Sequence, residues 1–273
     1  MSPLRRRGAG FQGRPLALIE KAVVLSAGQG RRLLPLTLER PKALVELSGR
    51  SVLAWQLRAL EAAGVREAVV VTGFGAAAVD AELATLDLGG LKARTMFNPF
   101  YTVSDNLATC WLARHELAGG SLLLNGDTLI EPAIVERLLT APEAPVTVTI
   151  DRKPGYDADD MKVLTEGDRL LAVGKTIESY NAESIGFLRF SAEGAAAFIE
   201  VVDEIMRGPD GLKRWFLSVI NELAQARDIV RVQSIEGLGW GEMDFPEDVQ
   251  RNAELTRRWA SLEGPAPEIQ QSA

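Results

Sequence analysis

Apolar positions along this chain fall into short unbroken runs in the first half and looser, alternating runs in the second. KAVVLSA (21–27), EAVVVTGF (67–74) and SLLLNGD (121–127) carry the unbroken pattern, which parallel strands show when both faces are covered. LKARTMFN (91–98) reads as a further strand of the series. Helical patterns separate them. Ser51 caps a helix to about residue 63 with Gly64 as its stop, and residues 75–86, 105–117 and 131–139 give three more. Four strand–helix alternations at crossover spacing predict an open α/β sheet with right-handed connections.

The second half changes character. VTVTI (146–150) is a strand, and DMKVLTEGDRLLAVGK (160–175) is a hairpin turning at Glu166-Gly167-Asp168. A strand at 184–190 precedes two helices (192–206 and 212–226), then strand IVRVQSI (229–235). After GLGWGEMD (237–244) a last helix runs from Pro246 to about residue 262. No internal repeat or Pro/Ser linker divides the halves. The expected architecture is one domain, 21–264, with a three-layer, Rossmann-like, open and mostly parallel mixed sheet and a β-rich insertion in its second half. A basic tail (1–20) and a Pro-rich tail (265–273) are expected to be disordered.

Composition narrows the chemistry. The 273 residues are 47% hydrophobic and 25% charged with net charge -7, an ordinary globular balance that argues against nucleic-acid binding. The first 21 residues run the other way, with Arg5, Arg6, Arg7, Arg14 and Lys21 against Glu20. They lack a secretory apolar region, and the apolar stretch 16–19 is far short of the ~20 residues that span a bilayer. One cysteine, Cys110, excludes an internal disulfide and suits a reducing cytoplasm. One histidine, His115, excludes multi-His zinc sites; it is expected at the solvated end of a helix whose apolar part holds Cys110.

The stretch LSAGQGRRLLPLTLERPKAL (25–44) carries the strongest signal. It fails as a dinucleotide fingerprint, because Leu33 stands where a third small residue is needed. It fails as a P-loop, because Lys42 lies twelve residues past Gly30 and is followed by Ala43. What remains is a long basic loop: Gly28 and Gly30 for close backbone approach, Arg31 and Arg32 for charge, and Lys42 presented after Pro41. Such a loop awaits an anion.

Gly28, Gly30, Arg32, Leu33, Pro35, Thr37, Pro41, Lys42 and Leu44 match, at fixed spacing, the signature of the nucleotidyltransferases that activate phosphorylated sugars and alcohols. Ser26 stands where Ala is commoner, and Arg31 where Ser or Thr is. The resemblance extends over about residues 21–263. Asn125-Gly126-Asp127 is similar to that superfamily's metal-binding acid, and Glu242 to Asp248 to its second acidic motif. Residues 98–113, 160–175 and 183–191 resemble the small cytidylyltransferase branch, which acts on phosphocholine, inositol phosphate or aminoethylphosphonate.

This resemblance implies an NTP-transferase fold and attack by an acceptor phosphate on the α-phosphorus of CTP. A phosphomonoester is mostly dianionic at neutral pH, so a site without His or Cys suffices. Ser26, Ala27, Gly28, Gln29, Gly30 and Arg31 would hold the nucleotide, with Thr72, Gly73 and Asn106 near its base. Arg32 would take the departing pyrophosphate, Lys42 the α-phosphate, and Asp127 with Asp244 a Mg²⁺ ion. Lys162 and Lys175 would grip the acceptor phosphate and Glu183 its hydroxyls, while a choline head would want an aromatic cage, for which Tyr101 and Trp215, with Phe216 and Trp240, are available. Phosphocholine enzymes commonly follow the aromatic pair with an acid. Here Trp215-Phe216 is followed by Leu217-Ser218, which leaves the acceptor open. A sugar-1-phosphate enzyme using UTP, dTTP or GTP, and an inactive nucleotide-sugar sensor, are the alternatives. The partners expected are a nucleoside triphosphate and a phosphorylated small molecule; the sequence leaves oligomeric state undetermined.

Overall fold

A computed structural model describes residues 19–262, so the two tails expected at the ends lie outside the described residues apart from Ile19 and Glu20. Strand β1 (Lys21–Ser26) empties into the Gly-rich loop, which carries single 3₁₀ turns at Arg31–Leu33 and Lys42–Leu44. A tiny hairpin, β2 (Glu46–Leu47) and β3 (Arg50–Ser51), leads to α1 (Val52–Ala62). Ser51 caps it as expected, accepting from the Ala54 amide at 3.0 Å. Then follow β4 (Glu67–Thr72), α2 (Ala76–Thr85), β5 (Lys92–Phe97), α3 (Asn106–Leu112), α4 (Arg114–Leu117) and β6 (Ser121–Asn125). Short β7 (Thr128–Ile130) and α5 (Pro132–Leu139) close the first half.

The second half contains β8 (Val146–Asp151), the hairpin β9 (Lys162–Glu166) and β10 (Arg169–Val173), and β11 (Ala182–Phe190). Helices α6 (Ala192–Met206) and α7 (Phe216–Ala226) precede β12 (Val230–Ser234), β13 (Trp240–Glu242) and α8 (Pro246–Leu262). Two expected helices are shorter than the apolar pattern suggests. The one read over 105–117 breaks at Ala113, where the Arg114 guanidinium donates to the Trp111 carbonyl at 2.7 Å. The one read from 212 starts at Phe216, because the Arg214 carbonyl and the Phe216 amide are taken by the start of α3, at Leu107 and Asn106.

Among the described residues, nine strands form one mixed sheet in the order β5-β4-β1-β6-β11-β8-β12-β10-β9. β5, β4, β1 and β6 run parallel, and β11 enters antiparallel between β6 and β8. The hairpin then curls back: β9 also pairs with β11 through Ala182 opposite Val163 and Glu183 opposite Lys162. The β-rich insertion thus continues the main sheet.

Strand alternation explains why the runs are unbroken. Val23, Leu25, Val69 and Val71 face a core with Leu107, Cys110, Phe198 and Phe216. Their neighbours Ala22, Val24, Ala68 and Val70 face a second core with Leu53, Leu57, Val79 and Ile134. Each strand therefore serves two helical layers. Cys110 is fully buried, and burial pushes its thiol far up, so it behaves as a small apolar side chain. A third cluster packs Leu33 of the Gly-rich loop with Leu47, Trp55, Leu129, Met243 and Trp259. That cluster fastens α8 against the loop. Among the described residues no helix is long and apolar enough to cross a membrane.

Candidate active site

The site begins where β1 ends. Gly30 adopts φ 77°, and a Cβ there would lie 2.8 Å from the Lys42 Cβ, so only glycine lets Lys42 pass this close. The Thr37 hydroxyl donates to the Gly30 carbonyl at 2.8 Å, and the Gln29 side chain donates to the Thr37 carbonyl at 3.2 Å. The loop is thereby folded onto itself, with Lys42 across its mouth.

Asp127 sits in the turn between β6 and β7. Buried Gln56, on α1, donates to the carbonyls of Asn125 and Thr128 at 2.8 and 2.9 Å and so clamps that turn from both sides. Asp244 arrives from the far end of the chain. Strand β13 pairs with β7 so that Glu242 lies opposite Thr128, and the Met243 amide donates to the Asp127 carbonyl at 3.0 Å. Asp248 then accepts from the amides of Asp244 and Phe245 at 2.9 and 2.8 Å, fixing the entry to α8.

These elements bring three charged groups to one point. Lys42 Nζ lies 2.6 Å from Asp127 Oδ2 and 2.9 Å from Asp244 Oδ1. Arg32 Nη2 reaches Asp244 Oδ2 at 2.8 Å, and its guanidinium lies over the Phe245 ring, 4.7 Å from the centroid. Burial pulls the Lys42 ammonium down, but the two carboxylates outweigh it and hold its pKa above the usual lysine value. For Asp244 burial works upward, and Lys42 with Arg32 overcomes it, leaving its pKa below the usual aspartate value.

Glu242 opens the second acidic motif, in which the sequence assigned a role only to Asp244. Burial, then the charges of Asp127 and Asp244, push its carboxyl up to about 8. It is the last residue of β13, two positions before Asp244, and lines the same cavity. Asp159 was also missed. It pairs with Arg32 at 3.5 Å and Lys175 at 3.3 Å, bridging the loop and the hairpin.

Two adjoining cavities meet here, of about 260 and 380 Å³. The first is lined by Ser26, Ala27, Gly28, Gly30, Lys42 and Tyr101; the second by Arg32, Asp159, Lys175, Glu242 and Asp244. Asn106, Asn125, Asp127 and Trp215 line both, so Asp127 stands in their common wall. Ser26 Oγ is buried without a hydrogen-bond partner.

Not every expected site residue converges. Arg31 is exposed and lines neither cavity. Thr72 is buried with its hydroxyl toward the Met96 carbonyl, and Gly73 is packed between the Ala27 carbonyl and the Tyr101 side chain. Lys162 is buried away from the crevice. Its Nζ donates to the Asp157 carbonyl at 2.6 Å and the Lys175 carbonyl at 3.4 Å, so it holds the hairpin rather than facing the second cavity. Lys175 does face it, 5.1 Å from the Trp215 ring centroid. Glu183 is buried beside a neighbouring chamber, paired with Lys153 at 2.9 Å.

Residues 22–172 match the family described as the MobA-like NTP transferase domain. The chain is 35% identical over 258 residues to CMP-5'-(3-aminopropyl)phosphonate synthase of Streptomyces rubellomurinus, covering 88% of this chain but only 39% of that protein. It is 25% identical to CTP:phosphoglutamine cytidylyltransferase of Campylobacter jejuni, covering 84% of this chain and 97% of the relative. In fold it is similar to the inositol-1-phosphate CTP transferase of T. maritima, with TM-score 0.77 and 22% identity, over 91% of this chain and 98% of that one.

Proposed function

The chain belongs to the MobA-like NTP transferase family, and from that premise we propose that it transfers CMP from CTP to a phosphate or phosphonate oxygen of a small acceptor. The acceptor oxygen attacks the α-phosphorus, the bond to the bridging oxygen breaks, and its electron pair leaves with pyrophosphate. One observation carries this reading. Lys42 joins Asp127 and Asp244 in the wall between two adjoining cavities. Attacking and leaving groups must approach phosphorus from opposite sides, and cavities that share one charged wall suit that geometry.

The nucleotide would occupy the first cavity, along the backbone of Ser26 to Gly30, with Asn106 and Tyr101 beyond it. Lys42 would exchange its carboxylates for the α-phosphate, where charge builds as the bond forms. Arg32 would release Asp244 and take the β- and γ-phosphates. Lys175, in the second cavity, would hold the acceptor's anionic end. The residues fit Mg²⁺. Two carboxylates converge on the single position now held by an ammonium, and hard oxygen donors are what that ion selects. Asp127 and Asp244 would hold it, and when bound it neutralises phosphoryl charge.

Similarity to a CMP-phosphonate synthase and a phosphoglutamine cytidylyltransferase supports cytosine as the base. The presence of Lys42, Asp127 and Asp244 together argues against an inactive sensor. A single buried cysteine suits reaction in the cytoplasm. Incubation with Mg²⁺, each of the four NTPs and a panel of phosphorylated acceptors, followed by pyrophosphate release, tests the reading. Release with CTP is expected. Release only with UTP or GTP and a hexose phosphate would move the enzyme to the sugar-nucleotide branch, and none with any pair would reject transfer.

A further inference from the structure

Strand β6 carries Leu122, Leu123 and Leu124 fully buried and then ends on Asn125, a half-buried amide in the wall that both crevice cavities share. Alternation puts its side chain on the face of Leu123, toward α3 and α7. Gln56 takes its backbone carbonyl, but among the described residues the Asn125 side-chain amide makes no hydrogen bond. A primary amide offers two N–H donors and one acceptor oxygen, and leaving them unmatched in such a wall is costly unless a ligand completes them.

The neighbouring strand is made irregular to give this amide room. On β11, Gly186 adopts φ 71° between fully buried Ile185 and Phe187. The β11–β8 ladder slips here, between Ser184 and Leu188, and the pairing of β11 with β6 stops at Phe187 opposite Leu124, one position short of Asn125. A Cβ on Gly186 would lie 2.2 Å from Asn125 Nδ2 and 2.8 Å from its Cγ, so any side chain there expels the amide. Glycine inside a strand weakens it, and bulges gather beside active sites where a side chain must be aimed. What this bulge aims is Asn125.

We propose that Asn125 is a catalytic residue. Its Nδ2 donates one N–H to a non-bridging oxygen of the α-phosphate and the other to an oxygen of the acceptor's phosphate or phosphonate. One amide thus holds the attacking and attacked groups in register, and Gly186 keeps its seat open. This rests on the nucleotidyl-transfer reading and assigns the shared wall a donor between the two phosphates. A short neutral side chain suits that place: Lys42 already supplies positive charge, and two N–H bonds from one nitrogen fix the spacing of anions that repel each other.

Steady-state pyrophosphate release by the full chain tests it, with Mg²⁺, CTP and the fastest acceptor of a panel holding 3-aminopropylphosphonate, phosphocholine and inositol 1-phosphate. Asn125→Ala should lower kcat about a hundredfold, as loss of one preorganised amide donor does, with KM for CTP within a few-fold. Asn125→Asp keeps the shape but sets a carboxylate against two phosphates, so it should be slower still; it also carries the test if the alanine variant fails to fold. A residue that only shaped the β6–β7 turn would show the opposite order, and its loss would raise the half-saturating Mg²⁺ concentration by displacing Asp127. Melting temperature and calorimetric CTP binding of Asn125→Ala should stay close to the parent. Gly186→Ala should also lower kcat, and adding it to Asn125→Ala should cost little more, since both remove one contact. Parent-like kcat in Asn125→Ala, an aspartate variant faster than the alanine one, a raised Mg²⁺ requirement, or losses that multiply in the double variant would overturn the proposal and leave transfer standing. No release by the parent with any pair would overturn transfer, and this role with it.

Discussion

Asp127 is held by backbone rather than by its own packing. Gln56 clamps the turn, and the carboxylate is free to choose a cation. Asp127→Asn should therefore fold normally, retain CTP binding within a few-fold, and lose turnover by roughly 10³-fold, since removing one preorganised charged group that acts on transition-state charge costs about that. Activity near the parent level in a pyrophosphate assay would remove Asp127 from the reaction. Glu183 gives a pH prediction. Its folded-state pKa of about 7 lies above the ordinary value of 4.5, so between them the folded protein keeps a proton that the unfolded chain has released. Its contribution to stability thus falls as pH rises through that window. Glu183→Gln removes this slope, so the melting temperature of the variant minus that of the parent should grow more positive from pH 5 to pH 8.

Helix α8 matters for what it starts. Its third residue, Asp248, reaches back to the amides of Asp244 and Phe245, satisfying donors at the helix entry and fixing the segment that carries Asp244. Asp248→Ala should cost about 1 kcal/mol of stability, a typical capping loss. It should lower kcat more than it raises KM for CTP, because Asp244 is misplaced while the Gly-rich loop stays intact. Thermal melts with steady-state kinetics check both. An unchanged kcat would mean that the third core, through Met243 and Trp259, positions Asp244 without help.

Across the molecule the site is assembled from the first loop, the β6–β7 turn and the last strand. A ligand that bridges them ties both ends of the chain together. CTP with Mg²⁺ should raise the melting temperature in a concentration-dependent manner, since binding to the folded state alone contributes about 2.7 kcal/mol at a hundred times Kd. Mg²⁺ alone should shift it far less, because Lys42 already neutralises Asp127 and Asp244. EDTA should abolish turnover while leaving the ligand-free melt unchanged.

The apolar runs of β1, β4 and β6, the Ser51 cap, and the spacing of Gly28, Gly30 and Lys42 were determined by the sequence itself, since each depends on neighbours a few residues away. Tertiary structure decided whatever depends on partners far along the chain. Pairing of β13 with β7 brought Asp244 to Asp127. Closure of the hairpin on β11 turned Lys162 inward while leaving Lys175 on the crevice. The same closure set Glu183 beside Lys153 and Asp160, groups whose spacing in the chain gives no sign of contact. Periodicity records which face a side chain takes; it holds no record of which strand will lie against that face.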